Sequence, residues 1–365
     1  MNRTHKFRQG MLLALAMFTA VLVFAAPQRC ADALHAGLVL CGGPLLVSLF
    51  PFLIVSALLM GCGAGPLLGF AFQPAARVIG VRAKAAGSVL LIGFLGGFAP
   101  AAAAAAQAVR TGQLTPRQAS ALLPACVCSG PSFVILTVGE QMLGSRALGV
   151  RLFAAQLLAG YLTAAVLCRM QGGAGQCLPA KAEEIPLPTL DAVVAQAAVT
   201  YLKLCGFVLY FRLLAAGVET LLPKPWSVLP AMLLEVCSGC DCASRTGLWA
   251  STLCCAALSM QGASVLLQVR TICPPEVSLR PLLAARVLHL PLSLAMFWLV
   301  MPGTEQAVQA FSTLSGRVVV IMHRVPLDCA LLAFAVCCIA VAELQKRCSG
   351  QCEALHDQHK KTAAR

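Results

Sequence analysis

The stretch GFLGGFAPAAAAAAQAVRTGQLTP, Gly93 to Pro116, begins as apolar sequence fit for a bilayer, passes through Gly96, Gly97 and Pro100, and runs into six alanines before Arg110. Glycine and proline weaken a helix, and a break facing lipid leaves backbone N–H and C=O groups without partners. Such a break survives only where protein or a water-filled cavity surrounds it. Gly97 and Pro100 are therefore expected at the tip of a discontinuous or re-entrant helix buried in protein, with the alanine run packed against its counterpart in the second half of the chain. The alternative is an ordinary span kinked at Pro100.

Outward from this stretch, composition sets the class. The 365 residues are 59% hydrophobic and only 11% charged, with a mean hydropathy of +0.82, far from the balance of a soluble domain. A net charge of +13 invites a nucleic-acid reading. The Lys and Arg residues are scattered among apolar runs, however, with no basic helix or interleaved aromatic patch, so they read as topology signals and attraction to a lipid surface. The bilayer is the expected partner and nucleic acid is not. The 19 cysteines lie largely within apolar runs, where Cys acts as a small hydrophobe. Cys237, Cys240 and Cys242, in EVCSGCDCAS, have the spacing of a metal site, but no His or second C-x-x-C completes four ligands. No metal and no cofactor are expected.

Apolar stretches run over Met11–Ala26, Leu38–Cys62, Ala86–Ala106, Ala119–Val138, Ala147–Leu167, Ala192–Val218, Val228–Val236, Thr246–Val269, Leu282–Val300 and Leu327–Ala342. The first follows a basic start and ends in FAAP, a possible cleavage site; it is read here as an uncleaved first helix. Basic residues at the N-terminus and at Lys346, Arg347, Lys360, Lys361 and Arg365 place both termini in the cytoplasm under the positive-inside rule. The number of crossings is then even, about eight, with the remaining pieces re-entrant. The expected fold is an all-α polytopic membrane protein of two related halves. Residues 1–169 form the first half, a Gly- and Pro-rich linker with Glu183 and Glu184 covers 170–191, the second half spans 192–345, and 346–365 is a basic cytoplasmic tail.

The two halves repeat one order. LFPFLIVSALLMGCGAGPLL, GFLGGFAPAA and CSGPSFVILTVGE in the first correspond to LCGFVLYFRLLAAGVETLL, LEVCSGCDCAS and MQGASVLLQVRT in the second. Each is a long apolar helix, a small-residue break, and a second break of the form Ser/Gln-Gly-x-Ser. Interrupted segments at matching places in two halves point to a solute pathway near the membrane midplane; the alternative is that these glycines merely let helices pack closely. The expected pathway residues are Glu235, Gly239, Asp241, Ser264, Gln268, Ser129, Ser132, Gly97 and Pro100. Glu235 leads them, because a carboxylate in an apolar run is costly enough to be functional by default. It binds a cation or carries a proton; otherwise it pairs with Arg245 or caps a half-helix. Ser264 and Gln268, four apart, face one cavity or make an interhelical hydrogen bond. Asp241 is expected at a cavity mouth, Glu140 at an interface, Lys203 and Arg212 as snorkelling cations, and His289 as satisfied packing.

These segments, with GQLTPRQASALL, SRALGVRLFAAQLLAGYL and LRPLLAARVLH, resemble in order and spacing the YlbJ-type sporulation integral membrane proteins, which carry a nucleoside-recognition Gate domain. The resemblance implies a polytopic inner-membrane protein of spore-forming bacteria, needed for spore development, with sporulation membrane proteins as partners and a fold distantly like nucleoside transporters. The family's Gly-Tyr-Pro-Ser-Gly-Ala break falls on Gly97 to Ala102, where Pro100 is displaced by one and the Ser is lost, and the Lys that follows becomes Ala103. Its Thr-Asn-Ser-Ser-Asn-Pro falls on Cys126 to Pro131, keeping Ser129 and Pro131 but placing Val127 and Gly130 where asparagines stand. Glu235, Gly239, Gly262, Ser264 and Gln268 match.

No G-x-S-x-G, H-E-x-x-H, P-loop or paired-carboxylate motif is present, so an enzyme is not expected. Two classes remain: a transporter of a small polar solute, with or without a coupling cation, and a non-transporting scaffold for spore envelope or cortex assembly. Polar residues converging from both breaks on one cavity favour the first, and a cavity filled by Ala, Leu and Cys favours the second.

Overall fold

The structure is a computed structural model that describes residues 3–62, 67, 69–173, 188–223 and 226–300. Leu327–Ala342, the tail with Cys348 and Cys352, and most of the linker with Glu183 and Glu184 lie outside the described residues. Among the described residues every regular element is helical. Six helices are long and apolar enough to cross a membrane, or seven if one bent pair counts as a span. The architecture is thus all-helical with several spans, as expected.

The first half opens with α1 (Arg3–Ala25), α2 (Pro27–Gly42) and α3 (Pro44–Gly61). The apolar stretch expected over Leu38–Cys62 is therefore divided at Gly43, and α2 starts directly after Ala26 with Pro27 at its first position, where a missing N–H costs nothing. A 3₁₀ turn (Gly69–Phe72) and α4 (Gln73–Ile79) then meet α5 (Lys84–Gly96) at a bend of 105°. After Gly97 comes α6 (Phe98–Arg110), and after it α7 (Pro116–Cys126), a π-helix (Ser132–Met142) and α8 (Arg146–Met170). The second half contains α9 (Leu190–Leu221), α10 (Val228–Leu234), α11 (Val236–Ser244), α12 (Ala250–Met260), α13 (Gly262–Ile272) and α14 (Arg280–Val300).

Each half holds two interrupted helices, α5–α6 and α7 with the π-helix in the first and α10–α11 and α12–α13 in the second, and the two breaks differ in kind. The first folds back on itself. A Cβ on Gly93 would lie 3.3 Å from the Cβ of Ala101, eight residues on, and one on Gly239 would lie 2.7 Å from the Cα of Met232, seven residues back. In a continuous helix such pairs stand more than 10 Å apart at about 1.5 Å rise per residue. The arms α5 and α6, and likewise α10 and α11, pack against each other. The second break, between α7 and the π-helix and between α12 and α13, is an unwound joint whose arms do not pack extensively on each other.

Pro100 falls in the first turn of α6, where backbone N–H groups have no intrahelical partner in any case, so it starts a helix instead of kinking one. The alanine run is buried. It packs against α3, α5 and α7 and, across the halves, against α13; its expected counterpart, α11, is not the surface it meets. Alanine's single methyl allows that close approach on several sides at once. The halves interlock further where α14 lies on α7 and α8, and where α9 lies on α2 and α3.

Candidate functional site

The four breaks converge. Gly97 adopts φ 78 and ψ −162, and a Cβ there would meet the Gly130 nitrogen at 2.6 Å, so the hairpin tip of the first half rests on its unwound joint. In the second half Gly262, at φ 71, would carry a Cβ only 2.9 Å from the nitrogen of Glu235 and from the carbonyl oxygen of Leu234. Here too the hairpin tip sits on the joint. The two crossings touch through Gln261, whose Nε2 lies 3.4 Å from Ser129 Oγ while also donating to Leu258 O at 2.8 Å.

Glu235 is the residue at the second hairpin tip. Its backbone is extended, at φ −151 and ψ 129, and its side chain turns forward to cap α11. Oε1 accepts from Cys237 N at 2.8 Å, and Oε2 accepts from Ser238 N at 2.7 Å and from Ser238 Oγ at 3.0 Å. The carboxylate is 1% exposed. Two amides at a helix N-terminus offset part of its charge. Among the described residues no cation pairs with it; Arg245, the expected partner, instead holds Asp241 at 2.7 Å within α11. Asp241 does not line the cavity; it and the C-cap Arg245 form an i,i+4 pair of partly exposed side chains on the outer face of α11.

Between the crossings lies a partly open cavity of about 530 Å³, solvent at its mouth included. The part that whole water molecules can occupy is small, enough for one or two. Ser129, Gly130 and Phe98 come to it from the first half, Glu235, Cys237 and Gln268 from the second, and Tyr201 from α9. Gln268 donates to Ser264 Oγ at 2.9 Å, so the two expected cavity residues bond within one helix, with Gln268 at the wall and Ser264 behind it. Tyr201 donates to the Cys41 carbonyl. The lining is thus mixed: an apolar and aromatic wall carrying one carboxylate, one amide and hydroxyls drawn from both halves.

Of the nine expected pathway residues, Glu235, Gln268 and Ser129 line this cavity. Gly97 and Ser264 shape it without lining it. Pro100 is buried in the first turn of α6, and Ser132 starts the π-helix beside the lining residue Phe133. Gly239 is not the break; it lets α11 lie on α10 four residues farther on. Cys237, Cys240 and Cys242 are free, and no group of three His, Cys, Asp or Glu among the described residues could hold a metal. Lys203 and Glu140 are exposed, whereas Arg212 keeps Nη1 buried without a hydrogen bond, so it does not simply snorkel. His289 is buried with Nε2 3.0 Å from Gln156 O.

One residue bonded to the joints beside the cavity went unremarked in the sequence. Arg286, on α14, donates from Nη1 to Ser259 O and from Nη2 to Val127 O, both at 3.1 Å. It stands in LRPLLAARVLH, and the cost argument that singles out Glu235 applies equally to a guanidinium in an apolar helix.

The chain matches no known protein family, no curated protein and no solved structure. The YlbJ-type resemblance therefore stands on its motifs alone.

Proposed function

We propose that this chain is a multi-pass membrane transporter of a small polar solute, with the cavity between the two crossings as its central site. The observation that carries the reading is the convergence of hydrogen-bonding side chains from both halves on a single cavity, Ser129 at a break of one and Glu235 at a break and Gln268 on α13 of the other. Discontinuous helices meeting between two related halves are how transporters place polar backbone and ion-binding groups at the membrane midplane. The buried carboxylate without a cation is a natural seat for a hydrogen-bond donor or positive group on a solute, or for a coupling cation. The aromatic and aliphatic wall suits a solute with an apolar body.

On the motif order quoted above, we place the protein in the inner membrane of a spore-forming bacterium, with both termini cytoplasmic and a role in spore development. The scaffold reading draws on the small water-accessible volume, and the same experiment separates the two. Metabolite pools and medium are profiled in cells with and without the protein, and any compound that moves is tested for counterflow in proteoliposomes. A transporter gives counterflow that Glu235→Gln abolishes while membrane abundance stays near that of the unaltered protein. No compound moving, with a developmental defect still present on deletion, would favour the scaffold and refute transport.

A further inference from the structure

The unwound joints end α7 and α12 prematurely, and each leaves carbonyls that no fourth residue onward can satisfy. Val127, the C-cap of α7, lies at φ −81 and ψ 79, and Gln261, the C-cap of α12, is left-handed at φ 64. The carbonyls of Val127 and Ser259 therefore point out of their helices, one from each half, and each carries a share of its helix's negative end, about half a charge. Together they make a seat for one positive charge. Arg286 fills it, one guanidinium nitrogen on each carbonyl at 3.1 Å, with its Nε buried and without a partner and no carboxylate paired to it among the described residues.

We propose that Arg286 is a tethered cation occupying a monovalent-cation seat formed by the two helix C-termini, so that the protein supplies from its own α14 the charge that a free ion would otherwise bring. Unwound carbonyls and half-helix C-terminal ends are the usual ligands for coupling ions in proteins of broken helices. A guanidinium suits the seat because its planar fork carries several N–H donors and reaches two carbonyls at once. The consequence is that the two halves are held together at this point without sodium or potassium. The inference rests on the geometry of Arg286 and not on the transport reading, and its test reads stability rather than uptake.

The experiment uses the purified full chain in detergent or nanodiscs, with its melting midpoint followed by tryptophan fluorescence in buffers whose only small cation is sodium, potassium, guanidinium or N-methylglucamine. At millimolar concentration guanidinium acts as a ligand and not as a denaturant. The unaltered protein should melt at the same temperature in all four. Arg286→Ala should melt lower, and should regain at least half of the loss in guanidinium, less in sodium, and none in the bulky N-methylglucamine. Arg286→Lys, which keeps the charge, should accumulate and melt above Arg286→Gln, which keeps donors without charge. Four results would each overturn the proposal: a sodium-dependent midpoint in the unaltered protein, an Arg286→Ala midpoint unchanged or equally low in every cation, Gln equal to or better than Lys, or failure of Arg286→Lys to accumulate. If Arg286→Ala does not accumulate, the Lys and Gln variants and the unaltered protein decide.

Discussion

Replacing Gly97 by alanine tests whether the hairpin tip is pressed onto the joint as described. Two costs add. The conformation at φ 78 and ψ −162 belongs to a region open to glycine alone, and holding another residue there costs about 1–3 kcal/mol. The new Cβ would also sit 2.6 Å from the Gly130 nitrogen and 2.8 Å from its Cα, and backbone cannot rotate aside as a side chain can. Overpacking of that kind costs about 1–3 kcal/mol more. The expected loss is about 2–6 kcal/mol, large against the net stability of an ordinary domain. Gly206→Ala is the control: it lies in the interior of α9 with nothing within 4 Å of the added methyl, and should stabilise by about 0.5–1 kcal/mol. Gly130→Ala should fall between them, since its Cβ would approach the Gly96 carbonyl oxygen at 3.3 Å. Denaturation midpoints in a single micelle system, read by tryptophan fluorescence, rank the three variants. A Gly97→Ala protein as stable as Gly206→Ala would refute the close crossing and the paired arrangement built on it.

Two further substitutions separate surface from core. Asp241→Asn should change stability by less than about 0.5 kcal/mol, because its pair with Arg245 is an i,i+4 contact between side chains 31% and 51% exposed; a larger loss in the same denaturation assay would mean that Asp241 has a buried role. Gln156→Leu should cost about 1–3 kcal/mol. Its Nε2, with two hydrogens to give, lies 3.1 Å from Cys255 O, 2.9 Å from Ser259 Oγ and 3.3 Å from Ser293 Oγ, tying α8 to α12 and α14. A leucine variant as stable as the unaltered protein would show that this buried cluster contributes nothing to holding the halves together.

Much of the site was legible residue by residue. The order of breaks, the Ser/Gln-Gly motif of each joint and the singling out of Glu235 all came from local chemistry: a glycine where φ must be positive, a proline where an N–H is dispensable, a carboxylate where apolar sequence makes it costly. Asp241 and Gly239 misled because they are near Glu235 in sequence, while α11 turns Asp241 to its exposed face and Gly239 to the packed face against α10. Arg286 was open to the argument that found Glu235. Its partners were not legible, since Val127 stands 159 residues earlier in the chain.

By itself the sequence determined that the chain is a set of apolar helices and where glycine and proline interrupt several of them. Only the tertiary structure decided that the first break of each half folds back while the second stays open, that Glu235 caps α11 instead of pairing with Arg245, and that the alanine run lies on α13. The physical reason is range. A cap, a positive φ or a helix-initiating proline is fixed within a turn of its own position, whereas an unsatisfied carbonyl or a flat alanine face specifies only that it be covered, and which distant side chain covers it is settled when the halves pack together.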